Sequence, residues 1–294
     1  MPLSSLNMKD TEIQLPNFTL LDSQIEFAMA EDIGDGDHSA LSCLPTEARG
    51  EAQLIFKEAG IIAGLALAKY IFEKIDPSAN VALLKSDGDS VKPGDIGLTV
   101  EGNAIKLLQS ERLVLNYMQR LSGVATKTNA MVRRIAHTDC QLLDTRKTTP
   151  GFRTLEKWAV KLGGGQNHRM GLYDMIMLKD NHIDFAGGIK PAAQKVRAYL
   201  ASAKKNLAIE VEARNLDEVQ EALDSGADRI MLDNFDIPTT KIAVALIGNR
   251  AEIESSGGIT EATMVDYAES GVHYISVGAL THHIKGLDMS LKAI

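Results

Sequence analysis

Cysteine is nearly absent. Cys43 and Cys140 are the only two in 294 residues, which excludes a disulfide framework, and their spacing fits no zinc-ligand pattern. Base is in deficit, with 31 Lys and Arg against 39 Asp and Glu for a net charge of −8. A chain this acidic is a poor candidate for a general nucleic-acid or membrane-surface binder, while a local basic pocket remains open to it. Long apolar runs are missing as well. The most apolar stretch, 60–68, falls far short of the ~20 residues that span a bilayer. Residues 1–19 are mixed and polar, without a basic region followed by an apolar one, so no signal peptide is read. These absences imply a soluble, cytoplasmic protein with no membrane and no nucleic-acid partner.

Several catalytic signatures are lacking too. The chain has no H-E-x-x-H, no G-x-S-x-G and no G-x-x-x-x-G-K-[ST], which removes support for zinc hydrolase, serine hydrolase and P-loop chemistry. The acidic stretch Asp32, Ile33, Gly34, Asp35, Gly36, Asp37 misses the glycine and glutamate positions of an EF-hand. His282 and His283 are adjacent and would diverge on a helix, which argues against a shared metal.

What is present is an ordinary globular composition, 45% hydrophobic and 24% charged, at a length of about two domains or one barrel with an appendage. From about Cys140 onward, short β-branched and aliphatic runs alternate with longer amphipathic ones, the pattern of βα units around a parallel sheet. Strands are predicted at 141–144, 174–178, 207–211, 229–232, 252–255 and 274–277. Each closes on a polar or glycine position: Asp144 with Arg146 and Lys147, then Lys179, Glu212, Asp233, Ser256 and Gly278. The later spacings are 21, 23 and 22 residues, about one strand, loop and helix each, so these groups recur on one rim. In a (β/α) barrel the C-terminal rim carries the active site.

The first part reads differently. A helix is predicted at 20–30, then strands at 50–56, 81–85 and 95–100. The turn-rich stretch 87–95 resembles that of lipoyl-type sandwiches, but no Met-Lys-Met follows to carry a swinging arm. A small open β-sandwich is expected. A helix from about 104 to 121 leads out of it, with Leu107, Val114, Met118 and Leu121 as an apolar stripe and Arg112, Asn116 and Gln119 on another face. The pattern leaves open whether that polar face is solvated or functional. The expected organisation is a tail at 1–20, an open β-sandwich domain at 21–124 with its connecting helix, and an α/β barrel at 125–294. The fold class is thus α/β with an α+β N-terminal part, the barrel having six or more parallel strands.

Charge is uneven. Residues 144–182 carry +3 and the rest of the chain −11. Within that segment Lys157 and Lys161 stand at i, i+4 on a predicted helix and are read as solvent-facing. Arg146, Lys147, Arg169 and Lys179 sit at strand ends or in a glycine-rich loop, where they can clamp a small, multiply anionic ligand. Three glycines, Gly163, Gly164 and Gly165, precede His168 and Arg169; they allow close backbone approach, although a helix C-cap would look the same. Ser256, Gly257 and Gly258, and Ser276, Val277 and Gly278, follow the last two strands, where barrels commonly bind phosphate through backbone N–H groups. Glu212 and Asp233 could bind sugar hydroxyls, hold Mg²⁺, stabilise a developing cation, or simply pair with a neighbouring base.

Three long motifs resemble the quinolinate phosphoribosyltransferase family. They are Asp144, Thr145, Arg146, Lys147, Thr148, Thr149, Pro150, Gly151; Gly163 to Arg169; and Leu178, Lys179, Asp180, Asn181, His182. Shorter matches in order lie at 31–37, at Glu111, Arg112, Asn116 and 120–123, and at 210–212. Gln166 replaces a histidine common among relatives. The resemblance implies a pentosyltransferase that joins quinolinate to phosphoribosyl pyrophosphate, releasing CO2 and pyrophosphate and giving nicotinate mononucleotide for NAD synthesis. It implies a quinolinate clamp of Thr145, Arg146, Lys147, His168, Arg169 and Lys179, with Arg112 lent by the other subunit of a homodimer. Glu212 and Asp233 would hold the ribose and, with Lys147, serve the reaction, while Mg²⁺ arrives with the pyrophosphate. The Ser256 and Ser276 loops would take the 5′-phosphate. Three rivals are a molybdenum-transport-associated relative of the same fold, a Schiff-base aldolase using Lys179, and a non-enzymatic anion or polynucleotide binder.

Overall fold

The structure is a computed structural model and describes residues 13–294. Most of the tail predicted at 1–20 lies outside the described residues. The chain divides into two compact units, one running up to Ser122 and taking in Leu287–Ile294, the other Gly123–Gly286.

In the first unit a 3₁₀ turn, Phe18–Leu21, leads to α1 (Asp22–Ile33), α2 (His38–Cys43), β1 (Arg49–Phe56), β2 (Gly60–Ile61), α3 (Leu65–Ile75), β3 (Asn80–Leu83), β4 (Ser90–Val91) and β5 (Ile96–Asn103). The alternation along β1 buries Ala52, Leu54 and Phe56 on one face, as a two-residue period requires. β1 is central in an antiparallel sheet whose order is β12-β1-β5-β3, and β2 pairs with β4. The most apolar run of the sequence becomes β2 and the start of α3, whose Leu65, Leu67, Ala68, Ile71 and Phe72 are buried. Asp87 caps α3 by accepting from the Gly64, Leu65 and Ala66 N–H groups. The last strand, β12 (Met289–Ala293), pairs antiparallel with β1. The sequence reading assigned these residues to the barrel, but the ladder to β1 places them in the first unit.

Asp76 ties this unit together. Its side chain is buried and accepts from Asn103 N at 2.8 Å, Ser78 N at 3.1 Å and Ser78 Oγ at 2.7 Å. Burial opposes ionisation, but these hydrogen bonds and the Lys106 charge outweigh it and hold the carboxyl at about 2. A depressed carboxylate stabilises the fold above its unfolded pKa of about 3.9, and that contribution is lost as pH falls through the folded value. Asp76→Ala is expected to cost about 1–3 kcal/mol at neutral pH, read by urea unfolding. The gap to the native chain should close between about pH 4 and pH 2; a gap independent of pH would contradict the assignment.

α4 (Ala104–Ile135) is 32 residues long and enters the second unit, well past the predicted end near 121. Gly123 lies in its middle because a Cβ there would stand 2.3 Å from the Lys285 carbonyl oxygen. The second unit then alternates β6 (Gln141–Leu143), α5 (Arg153–Leu162), β7 (Ile176–Leu178), α6 (Asp180–Ala186), α7 (Ile189–Ala203), β8 (Ile209–Ala213), α8 (Leu216–Asp224), β9 (Arg229–Asp233), α9 (Ile237–Ile247), β10 (Glu252–Ser256), α10 (Met264–Ala268), β11 (Tyr274–Ser276) and α11 (Ala279–His282). The parallel sheet has the order β6-β11-β10-β9-β8-β7. Gln166 adds one parallel bridge to Leu143 beyond β6. This is the six-stranded barrel sheet the sequence predicts, each strand within two or three residues of its expected place. Asn215 and Asp236 cap α8 and α9 through the N–H groups of Glu218 and Thr239, which ends each preceding loop at the same rim.

Candidate active site

Side chains alternate across each parallel strand, so Glu210 and Glu212 of β8 share one face, as do Arg229, Met231 and Asp233 of β9 and Glu252, Glu254 and Ser256 of β10. The register pairs Glu210 with Arg229, Glu212 with Met231, and Asp233 with Ser256. That face is layered: a charged layer of Glu210 and Glu254 lies deep, and Glu212, Asp233 and Ser256 form the rim above it.

Two loops bring cations to the same rim. The loop after β6 is fixed by buried Glu156, which accepts from Thr149 N at 3.0 Å and Thr149 Oγ1 at 2.8 Å. Arg153 donates to the Arg146 carbonyl at 3.3 Å, and Thr281 Oγ1 to the Lys147 carbonyl at 2.8 Å. The loop that carries His168 and Arg169 is fixed by Asp144, which accepts from His168 N at 2.9 Å and Asn167 Nδ2 at 2.7 Å. Lys157 completes this strut: its ammonium donates to Asp144 and, at 2.9 Å, to the His168 carbonyl. Lys157 is only 1% exposed. The solvent-facing reading was wrong for it and correct for exposed Lys161, because α5 turns residues 155–160 inward as a block.

These loops and strand ends enclose a cleft of about 790 Å³. Of the residues expected at the site, the second unit brings together Thr145, Arg146, Lys147, His168, Arg169, Lys179, Asp233, Ser256, Gly257, Gly258, Ser276 and Gly278. Glu212 stands just behind, its carboxylate accepting from Lys179 Nζ at 3.0 Å and Asp180 N at 3.4 Å. Val277 does not serve as expected: its side chain is buried and its N–H donates to the Leu143 carbonyl at 3.0 Å, so it has no free donor for a phosphate. Arg112 belongs to the first unit, exposed on α4. Sequence reasoning missed His282 and Asn234, which line the cleft.

The glycines show why the turns are made as they are. Gly257 has φ +92°, and a Cβ would meet Asn234 Oδ1 at 2.3 Å. Gly278 lets His282 Nε2 and Lys147 Cδ approach to 2.9 and 3.0 Å from where a Cβ would stand. Asn234 is itself left-handed at φ +57° and donates to Asp233 Oδ2 at 2.7 Å.

Electrostatics mark the cleft as an anion receptor. Burial and the Arg146 charge push the Arg169 guanidinium below its ordinary pKa, outweighing the charges of Glu210 and Asp174, so two like charges are crowded together at the cleft. Burial, then the charges of His283, Lys147 and Lys127, lower His282. Asp233 is raised by burial and by Glu212, against Asn234 and Lys179. It is poised to gain from a cation placed above it.

Comparison with known proteins decides the lineage. The family model "Quinolinate phosphoribosyl transferase, C-terminal domain" matches residues 124–292, and "Quinolinate phosphoribosyl transferase, N-terminal domain" matches residues 37–122. The chain belongs to the quinolinate phosphoribosyltransferase family. Within that family it is 48% identical over 288 residues to the chloroplastic nicotinate-nucleotide pyrophosphorylase [carboxylating] of Oryza sativa subsp. japonica, covering 92% of this chain and 77% of that protein. It is 46% identical over 284 residues to quinolinate phosphoribosyltransferase [decarboxylating] 1 of Nicotiana glauca, covering 91% and 81%. Among solved structures, the nicotinate-nucleotide pyrophosphorylase of Francisella tularensis superposes with a TM-score of 0.91 at 38% identity, covering 97% of this chain and 100% of that one. NadC from Streptococcus pyogenes gives 0.90 at 37%, covering 96% and 99%.

Proposed function

We propose that this cleft transfers the phosphoribosyl group of phosphoribosyl pyrophosphate to quinolinate, with loss of CO2, to give nicotinate mononucleotide and pyrophosphate for NAD synthesis. The observation that carries the reading is the convergence of Arg146, Lys147, Arg169 and Lys179 in one cleft with the Ser256, Gly257, Gly258 turn, within a chain of this family.

Quinolinate is a dianion, and the cations meet both its carboxylates. Forks on Arg146 and Arg169 suit planar carboxylates, Lys147 and Lys179 act as point charges, and Thr145 completes the clamp, with the His168 ring lining the cleft beside Arg169. Gly257 and Gly258 both have positive φ, which turns successive backbone N–H groups the same way and suits a 5′-phosphate. Ser276 and Gly278 approach from the neighbouring strand. The ring nitrogen attacks ribose C1 as the bond to pyrophosphate breaks, and positive charge develops on the ribose. Asp233 and Glu212 lie on the strands beneath it and favour that charge where it forms. The positive charge on the ribosylated ring nitrogen then stabilises the carbanion left on the ring-2 carbon as CO2 departs, and that carbon's electron pair takes up a proton. Mg²⁺ enters with phosphoribosyl pyrophosphate as part of the substrate, its charge met by the pyrophosphate oxygens. Holding two anions in line accounts for much of the rate.

The same reading makes the protein a homodimer in which Arg112 of each subunit completes the partner's clamp. Its exposure on α4 and the family membership support this. No described helix is long and apolar enough to cross a membrane, and the free thiols Cys43 and Cys140 suit a reducing compartment such as the cytoplasm. A Schiff-base role for Lys179 is disfavoured by its ion pair with Glu212 at 3.0 Å, since an imine-forming lysine needs a neutral amine.

Two measurements test the site. Calorimetric titration should show quinolinate binding roughly 10²-fold tighter than nicotinate, because one carboxylate fewer loses at least two charge-assisted hydrogen bonds; equal affinities would contradict the clamp. Glu212→Gln and Asp233→Asn should each lower kcat by about 10²- to 10³-fold, with a much smaller change in KM for quinolinate. A loss confined to KM would place both carboxylates in ground-state binding instead.

A further inference from the structure

Beneath the rim lies a buried layer that the transfer reaction does not require. Glu210 and Glu254 are 0% exposed and His168 7%. His168 Nε2 lies 3.2 Å from a carboxylate oxygen of each. It meets neither oxygen head-on, as for one hydrogen shared between two acceptors. Arg229, on the strand between them, reaches Glu254 at 3.5 Å, is held more closely by Glu252 at 2.8 Å, and lies over the Tyr274 ring 4.1 Å from its centre. The other groups on packed elements are accounted for. Asp144 accepts the His168 N–H, Lys157 donates to its carbonyl, and Ser276 bonds Glu254. Two buried carboxylates thus face His168, with the shared Arg229 guanidinium and, near Glu210, that of Arg169 as the neighbouring cations.

The other ring nitrogen settles which atom carries the hydrogen. His168 Nδ1 accepts from the Arg169 backbone N–H at 2.7 Å, which leaves the hydrogen on Nε2. His168, Glu210 and Glu254 are compact enough to suggest a metal cage. A metal would need a bare lone pair on Nε2, and the Nδ1 contact denies it.

We infer that Glu210 and Glu254 are positioning residues: by keeping a hydrogen on His168 Nε2 they leave Nδ1 as the acceptor that fixes the Arg169 backbone at the cleft. The inference rests on the proposed function only in taking Arg169 as part of the quinolinate clamp. It also means that His168 does not protonate the ring carbon, since its Nε2 hydrogen is faced by carboxylates and not by substrate. Nε2 holds its hydrogen between the two carboxylates while Nδ1 stays bare for the Arg169 N–H.

The test uses ¹⁵N-histidine-labelled full-length protein, free of substrate, with His168 identified among the seven histidines by the signal missing in His168→Gln. The expected spectrum shows a protonated Nε2 together with an unprotonated Nδ1 at every pH from about 6 to 8. In Glu210→Gln/Glu254→Gln part of the hydrogen should move to Nδ1, giving a mixed tautomer. KM for quinolinate should rise about 10- to 100-fold while kcat changes less than about threefold. Glu254→Gln alone gives the same readout at smaller amplitude if the double variant does not fold. An unprotonated Nε2 or a protonated Nδ1 in the native protein would overturn the inference. So would a divalent metal at one equivalent by elemental analysis that is lost in Glu254→Gln, or an unchanged His168 signal and KM in the variants. A native protein that shows this tautomer yet does not turn over quinolinate would refute the proposed function and leave the tautomer standing.

Discussion

Lys147→Ala and Arg112→Ala, each purified alone, should retain under about 1% of native activity. Each removes a cation whose partner carboxylate is then left desolvated and unpaired in the bound complex, a loss of about 3–5 kcal/mol. The two defects should complement. Subunit exchange in an equal mixture makes half of the dimers heterodimers, and each of these has one site free of both substitutions. About a quarter of all sites are then native, and activity should recover toward that fraction. Steady-state turnover before and after mixing measures this. Recovery to no more than the mean of the two parents would contradict a site built from two subunits.

Lys157→Met should be the most damaging substitution outside the cleft lining. Burial raises the Asp144 pKa and lowers that of Lys157, each partly offset by the other's charge. Removing the ammonium strands a carboxylate that is fully buried, at about 3–5 kcal/mol. It also frees the His168 carbonyl from its 2.9 Å bond, so thermal stability and quinolinate affinity should fall together. Asp144→Leu/Lys157→Met separates the two effects. An apolar pair should restore part of the stability, but the His168 N–H and the Asn167 amide lose their acceptor, so binding should stay weak. Full recovery of both by the double variant would show that the strut does not position the loop.

Much of the second unit is legible in the sequence because its signals are local. A strand, a polar strand-end residue and a capped helix recur every 21 to 23 residues, and the hydrophobic period shows which face is inside. Asp233, Ser256 and Gly278 are readable as a rim for that reason. The resemblance supplied what local signals do not, namely which anions the rim holds. Lys157 was illegible because lysine at i, i+4 with another lysine matches a solvated helix face; only the fold reveals Asp144 opposite it. Val277 was misread because a strand-end N–H looks free until the neighbouring strand is known. β12 was missed because its partner, β1, lies more than 230 residues earlier in the chain, and no short-range pattern reports such a pairing.

The central claim is tested most directly by incubating the protein with quinolinate, phosphoribosyl pyrophosphate and Mg²⁺ while following CO2 release and nicotinate mononucleotide together. The predicted result is formation of both products in equal amounts, dependent on all three additions. Folded protein that binds phosphoribosyl pyrophosphate yet yields neither product from quinolinate would contradict it.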